Sequence, residues 1–276
     1  MEKPSVVTRQ RRKRRSRRLA RRILPFVAAL FMATPLAGPV SKSLARSTSA
    51  PISVAMNSEA HKIAFFNHRM ADIYQDLKLE QQGLRFDVFE KAMTGYLNLQ
   101  KSGKLGAKEM LTIADFSLPS TEKRLWVLDL ANKQVLFHTL VAHGHNSGEN
   151  VATNFSNENE SNMSSLGFYV TNVEYSGKHG RSLKLDGQDI GINDNALERS
   201  IVMHGADYVS EDFIRQNGRL GRSLGCPALP MDQYAQIIDA VNGKTCLFLN
   251  GSDANYASRL LNQDVAMRVL ESNSVI

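Results

Sequence analysis

Cysteine is scarce in this sequence, and the chain has neither a calcium-binding loop pattern nor an internal repeat. Only Cys226 and Cys246 occur among 276 residues, which excludes a disulfide-rich scaffold and allows at most one internal disulfide. The polar segment 148–165 contains acidic residues, but without the spacing of a calcium-binding loop. No segment of the chain repeats another. What remains is a globular protein, for which a hydrophobic fraction of 42% is ordinary.

Acidic residues are almost absent from the first 45 positions. This stretch has twelve Lys or Arg and one acid, Glu2, whereas the rest of the chain has 22 basic and 26 acidic residues. The formal charge of +7 therefore comes from the N-terminus, and the remainder has a net charge of about −4. A surface that binds nucleic acid is consequently not expected in the folded part.

The same N-terminal stretch has the features of a targeting segment. Its basic region precedes an apolar run, 23–40, which is short for a membrane span and contains three prolines. Ser43 and Ala45 place small residues where a signal peptidase reads them. We predict a signal peptide over 1–45, with an uncleaved anchor and a basic RNA-binding tail as alternatives. Only an uncleaved anchor would bring the protein to a membrane, and the lack of a nearby cysteine argues against a lipoprotein.

The chain beyond the leader divides into four predicted parts. These are a linker (46–56), a helical lead-in region (57–108), a strand-rich domain (109–255) and a C-terminal tail (256–276). In the lead-in region apolar residues recur every three to four positions, which predicts two helices. Asn57 or Ser58 would cap the first helix, and a capping-box pattern at 87–90 would open the second.

Short β-rich runs predict the architecture of the strand-rich domain. They lie at 111–116, 124–130, 134–142, 167–173, 182–185, 200–203 and 245–250. Ser210 can cap one short helix, and Pro230-Met231 can open another. We predict a mainly β, largely antiparallel domain with an α-helical N-terminal region and short inserted helices.

Cys226 is the strongest candidate for chemistry. It stands between Gly225 and Pro227, where the backbone turns tightly and a thiol is more readily exposed than in a regular element. His204 ends an apolar run and is a candidate base, since a thiol must lose its proton to attack. A thiolate–imidazolium pair would lower the cysteine pKa. Amides around Gly225 and Cys226 would then stabilise an oxyanion.

Two alternatives stay open for Cys226 on these grounds. It could form a disulfide with Cys246, or it could be an inert thiol. Cys246 lies in an apolar, strand-like run and is expected to be a packed core residue.

The motifs around these residues resemble the L,D-transpeptidase catalytic domain, specifically the murein L,D-transpeptidase group. The resemblance rests on His204-Gly205, on Ser223-Leu224-Gly225-Cys226 and on Ser164–Tyr169, which keep their order along the chain. It covers about residues 111–250. Leu224 replaces a common His, and Pro227-Ala228 replaces the usual pair after the cysteine.

The resemblance implies a β-sandwich-like fold and an acyl-transfer reaction. Cys226 would attack the bond between diaminopimelate and D-Ala in a tetrapeptide stem, and an amine would resolve the thioester into a 3→3 cross-link. Water as acceptor would make a carboxypeptidase or endopeptidase, and a Cys226–Cys246 disulfide would make a non-catalytic wall-binding module. The implied partner is peptidoglycan in the bacterial periplasm or cell wall, with no cofactor and no metal.

Further residues are candidates around the predicted nucleophile. Ser223 and Gly225 belong to its motif and are assigned to the catalytic group. Six others are candidates for substrate binding: Arg222, Gly205, Tyr208, His143, Gly144 and Tyr169. Arg222 would meet a substrate carboxylate or only support its loop. His143 and His145 lack a third metal ligand, so loop structure or lining of the groove is favoured.

Overall fold

Eight β-strands form a single mixed sheet in the computed structural model, which describes residues 59–177 and 180–272. The strands are β1 (Met110–Asp115), β2 (Leu125–Asp129), β3 (Gln134–Thr139), β4 (Gly167–Gly177), β5 (Gly180–Gly187), β6 (Val202–Gly205), β7 (Ala228–Leu229) and β8 (Cys246–Asn250). Their order is β3-β2-β1-β8-β4-β5-β6-β7. The predicted mainly β fold is confirmed. Its pattern is mixed, since β1 with β8 and β6 with β7 are parallel.

The two edges of the sheet are joined by the segment that follows β3. Ala142 forms a bridge with Ala228 of β7, and its amide donates to the Ala228 carbonyl at 2.9 Å. Two residues after Ala142, Gly144 forms a bridge with Ser223. These contacts join the loop after β3 to the loop before β7. The loop before β7 carries the candidate nucleophile.

Five helices accompany the sheet within the described residues. They are α1 (Glu59–Asp76), α2 (Phe86–Lys101), α3 (Glu211–Asn217), α4 (Tyr234–Val241) and α5 (Gln263–Ser272). The first four correspond to predicted helices. Helix α5 falls in the segment predicted as a tail, where no element was assigned, and it buries Ala266, Met267, Val269 and Leu270.

The starts of two helices differ from the prediction. Helix α2 begins at Phe86 with Arg85 as its N-cap, and no side chain makes the cap hydrogen bond. The capping box at 87–90 is therefore wrong, because Asp87 already lies in the first turn, where its charge suits the helix dipole. Helix α4 begins at Tyr234, after a turn rather than directly at Pro230-Met231. The predicted cap Asn57/Ser58 lies outside the described residues, as do the leader and linker.

Alternation along the strands gives the sheet two apolar faces. In β8, Cys246 and Phe248 face the core shared with helices α1, α2 and α5. Leu247 and Leu249 face the other core, which contains α4. The described part of the helical lead-in region, from Glu59 onwards, is thus packed on the sheet within one compact unit.

None of the helices in the described part of the chain combines the length and hydropathy that a bilayer crossing needs.

Candidate active site

A tight turn presents Cys226 just before β7. The hydroxyl of Ser223 donates to the Cys226 carbonyl at 2.6 Å and accepts from the Gly225 amide at 3.1 Å. Gly225 has φ 123, and a side chain there would come within 2.8 Å of the Met163 carbonyl. Only glycine fits this position, since its backbone is left-handed and closely approached. Ser223 and Gly225 therefore shape the turn that holds the sulfur.

The parallel pairing of β6 and β7 brings the turn that carries Cys226 to the strand that carries the predicted base. His204 is in register with Ala228, and Val202 and Cys226 each lie two residues earlier in the chain. The Val202 amide donates to Cys226 Sγ at 3.4 Å. The sulfur therefore contacts the backbone of β6 two residues before His204.

The ring of His204 is held in one orientation. It is only 2% exposed, and its Nδ1 lies 2.9 Å from the carbonyl oxygen of Gly205. A carbonyl only accepts, so Nδ1 carries the proton and Nε2 is the acceptor nitrogen. The strand thus supplies His204 in the tautomer that suits a general base.

The pKa of the Cys226 thiol is raised, contrary to the sequence-based expectation. Burial is the largest cause, and it outweighs the amide of Val202 and the charge of Arg199, which both lower the pKa. The sulfur therefore rests as a thiol, donating to the Ser200 carbonyl at 3.8 Å. As the predicted nucleophile, it would need a base to take its proton on attack.

The disulfide alternative is contradicted, because Cys226 and Cys246 are both free thiols. Cys246 belongs to the core on the helix α1–α2 side of the sheet, whereas Cys226 packs against the opposite core. Burial raises the pKa of Cys246 as well. Of the two cysteines, only Cys226 is partly accessible.

One expected oxyanion donor is not available. The amide of Gly225 already donates to the Ser223 hydroxyl, so it does not point to a bound substrate. The amide of Cys226 itself lies near the sulfur and lowers its pKa. It is the remaining donor of the pair that the sequence suggested.

Arg222 supports its loop. Its Nη1 donates to the carbonyl oxygens of His145 and Gly148 at 3.1 and 3.0 Å, and to the carboxylate of Glu149 at 2.9 Å. With a side chain only 11% exposed, it matches the loop-supporting alternative rather than the role of substrate carboxylate ligand.

His143 and Gly144 lie inside the protein, not in a substrate groove. His143 accepts from Arg124 Nη2 through Nδ1 at 2.7 Å and donates to the Gly148 carbonyl through Nε2 at 3.2 Å. Gly144 is buried, and its amide donates to Ser164 Oγ at 3.0 Å. Both residues therefore have a structural role in this loop, and their contact with substrate stays a prediction.

Tyr169 and Gly205 also have structural roles. Tyr169 is fully buried, and its hydroxyl donates to the Ser165 carbonyl at 2.9 Å. Gly205 leaves room for Tyr234, whose ring would lie 2.7 Å from a side chain at position 205. For both residues, contact with substrate stays a prediction.

Tyr208 remains a candidate for lining the site near the predicted nucleophile. It is partly exposed, and its ring packs on Gly221, which leaves space for no side chain. Burial and then the charge of the Cys226 thiolate raise its pKa to about 12. Its electrostatic coupling to Cys226 fits a residue that lines the site.

The sequence analysis missed Arg199, which precedes β6. Its guanidinium donates to the carbonyl oxygens of Ser156 and Met163 at 2.7 and 2.6 Å, and it is electrostatically coupled to Cys226. No local pattern marks this residue, because the contacts come from a loop about 40 positions earlier. Asn193 accepts from the Asp189 amide and donates to the carbonyl oxygens of Leu166 and Phe168, so it fixes the turn before β6 to β4.

No group of three His, Cys, Asp or Glu side chains is arranged as metal ligands among residues 59–177 and 180–272. Fold and site together define a mainly β protein with a histidine on β6 and a cysteine in the turn before the neighbouring parallel strand β7.

Residues 80–250 match the model of the L,D-transpeptidase catalytic domain. This stretch is more than half of the chain and contains both His204 and Cys226. The chain therefore belongs to the L,D-transpeptidase catalytic-domain family. A comparison with curated proteins gives no significant match.

Solved structures resemble the chain weakly. An L,D-transpeptidase from Mycobacterium smegmatis is 13% identical over 52% of this chain and 59% of that one, with a TM-score of 0.33. An L,D-transpeptidase from Stackebrandtia nassauensis is 14% identical over 55% and 60%, with a TM-score of 0.33. The helical cell shape determining protein Pgp2 from Campylobacter jejuni is 13% identical over 63% and 60%, with a TM-score of 0.36. The chain thus spans about three fifths of the length of these proteins.

Proposed function

We propose that the protein is a peptidoglycan L,D-transpeptidase with Cys226 as nucleophile and His204 as general base. One observation carries the assignment of residues. The thiol of Cys226 accepts a hydrogen bond from the amide of Val202, two residues before His204 on β6, and His204 is in register with Ala228, two residues after Cys226. Membership of the family supports the type of reaction.

The proposed first half-reaction begins with a protonated thiol. His204 Nε2 takes the proton as Sγ attacks the carbonyl that joins the L-centre of diaminopimelate to the terminal D-Ala. The Cys226 amide stabilises the resulting oxyanion. D-Ala leaves as its nitrogen receives the proton from His204, and the stem remains on the sulfur as a thioester.

The second half-reaction returns the enzyme to its starting state. An amine of another stem attacks the thioester carbonyl and gives up a proton to His204. The new amide is a 3→3 cross-link, and the sulfur leaves to regain its proton. Water in place of the amine would release a tripeptide, and an existing cross-link as donor would make an endopeptidase.

The proposed site of action is the bacterial periplasm or cell wall. Its support is the predicted signal peptide over 1–45, together with a substrate that lies outside the cytoplasm. The proposed partner is therefore peptidoglycan stem peptides, and the negative charge after position 45 speaks against nucleic acid.

Digestion of defined muropeptides with residues 46–276 tests the proposal. Mass spectrometry should show a dimer linked 3→3 and one free D-Ala for each link. Cys226→Ala and His204→Ala should lose this product while staying folded, and Cys246→Ala is the matched control that should keep it. Tripeptide alone would indicate the carboxypeptidase, and full activity of Cys226→Ala would refute the nucleophile.

A further inference from the structure

The segment 199–202 surrounds the sulfur of Cys226 from one side. It contributes the Ser200 carbonyl that accepts from the thiol and the Val202 amide that donates to it. Ser200 has φ 56, a left-handed backbone that is uncommon outside glycine. Such a conformation, directly beside a reactive group, indicates that the segment is held in place by its surroundings.

The side chain that holds this segment is that of Arg199. Its Nη1 donates to the Ser156 carbonyl and to Ser165 Oγ, at 2.7 and 3.3 Å. Its Nη2 donates to Ser161 Oγ and to the Met163 carbonyl, at 3.1 and 2.6 Å. Four hydrogen bonds thus fix the guanidinium against the segment 156–165.

The same guanidinium reaches the turn that carries the nucleophile. A side chain at Gly225 would lie 3.3 Å from Arg199 Nη2 and 2.8 Å from the Met163 carbonyl. The backbone of the turn therefore packs directly on Arg199 and on the loop that Arg199 holds. The guanidinium of Arg199 therefore places a positive charge beside Gly225, the residue that precedes Cys226.

The charge of Arg199 is not neutralised by a carboxylate. The guanidinium is half-buried, and it forms no salt bridge with any residue of the described ranges. Buried cations are normally paired. Burial lowers the pKa of Arg199, and the charges that oppose this effect are those of Tyr169, Cys226 and Glu158 in their ionised forms, in decreasing order.

We propose that Arg199 is a positioning residue of this site, whose guanidinium stabilises the thiolate of Cys226 and holds the segment 156–165 beside it. This inference rests on the proposed role of Cys226 as the nucleophile. Two further ionisable groups belong to this part of the molecule: Tyr208, whose pKa is raised by the charge of Cys226 after burial, and the proposed base His204 on β6. Arg199 is the only permanent cation among these three, so its effect should persist over the whole working pH range.

The test is the alkylation of Cys226 by iodoacetamide across pH 6 to 10, which needs no muropeptide. In Arg199→Gln the thiol should titrate at higher pH, and alkylation at pH 7 should slow about three- to tenfold. Arg199→Lys keeps the charge and should stay within about threefold of the wild type. The matched control is Arg215→Gln, which removes one charge from the exposed face of α3.

The outcomes separate a charge effect from a merely structural one. An unchanged titration curve in folded Arg199→Gln would overturn the proposal. If Arg199→Gln does not fold, Arg199→Lys decides: alkylation within threefold of the wild type supports the charge effect, and slowing beyond tenfold overturns it. The alkylation test does not measure cross-linking. Its result can therefore be interpreted even if the protein has no transpeptidase activity.

Discussion

Acid should destabilise this protein through one buried histidine, His143. The ring is 1% exposed, and both of its nitrogens have hydrogen-bond partners in Arg124 and Gly148. Burial, and after it the charge of Arg124, lowers the pKa of His143 to about 4. Protonation would place a second cation against Arg124 and break the hydrogen bond that Nδ1 accepts.

The sign of the effect follows from the two pKa values. In the unfolded chain the pKa of histidine is about 6.5, so the unfolded chain takes up the proton first as pH falls. The stabilisation is complete above about pH 6.5 and is lost as pH falls towards 4. A difference of about 2.5 in pKa corresponds to about 3 kcal/mol, of which roughly 2.5 kcal/mol is gone at pH 4.5.

Urea unfolding at pH 7.0 and pH 4.5 measures this loss. His143→Gln keeps an acceptor and a donor but does not titrate, so its free energy of unfolding should fall by about 2.5 kcal/mol less than that of the wild type. His145→Gln, two positions away and exposed, is the control and should behave as the wild type does. Equal losses in the wild type and His143→Gln would refute the reasoning.

Two further substitutions test the packing of the helices. Gly95→Ala would place a methyl group 2.0 Å from the ring of Phe168, so the free energy of unfolding should fall by about 1–3 kcal/mol. An unchanged urea midpoint would contradict that contact. Asn98→Ala removes hydrogen bonds to the carbonyl oxygens of Leu260 and Asn262, both at 3.0 Å, and should cost about 1–3 kcal/mol. Amide exchange in α5 should quicken in this variant, and equal exchange would argue against the link.

The strands were predictable because short runs of β-forming residues mark them locally. Cys226 and His204 were predicted for another reason, because they match motifs of a known family. The parallel register of β6 and β7, which pairs His204 with Ala228, could not be read from the sequence. Neither could the joining of the sheet edges through Ala142.

The remaining site residues show where motif reasoning stops. A motif marks His143 and Tyr169 as important, but it does not separate a buried structural role from contact with substrate. His143 is held by Arg124, 19 residues earlier in the chain, and Tyr169 is held by Ser165, four residues earlier. Arg199 has no motif at all, because its partners lie in a loop about 40 positions earlier. The rise in the Cys226 pKa likewise depends on packing that only the fold determines.

The identity of the nucleophile is tested most directly by trapping the acyl-enzyme. The protein is mixed with a tetrapeptide stem that lacks an acceptor amine, quenched in acid, and analysed as an intact chain and after proteolysis. We predict one added mass, equal to the stem without its D-Ala, on the peptide that contains Cys226 and absent from Cys226→Ala. The same mass on another residue, or retained in Cys226→Ala, would contradict the account.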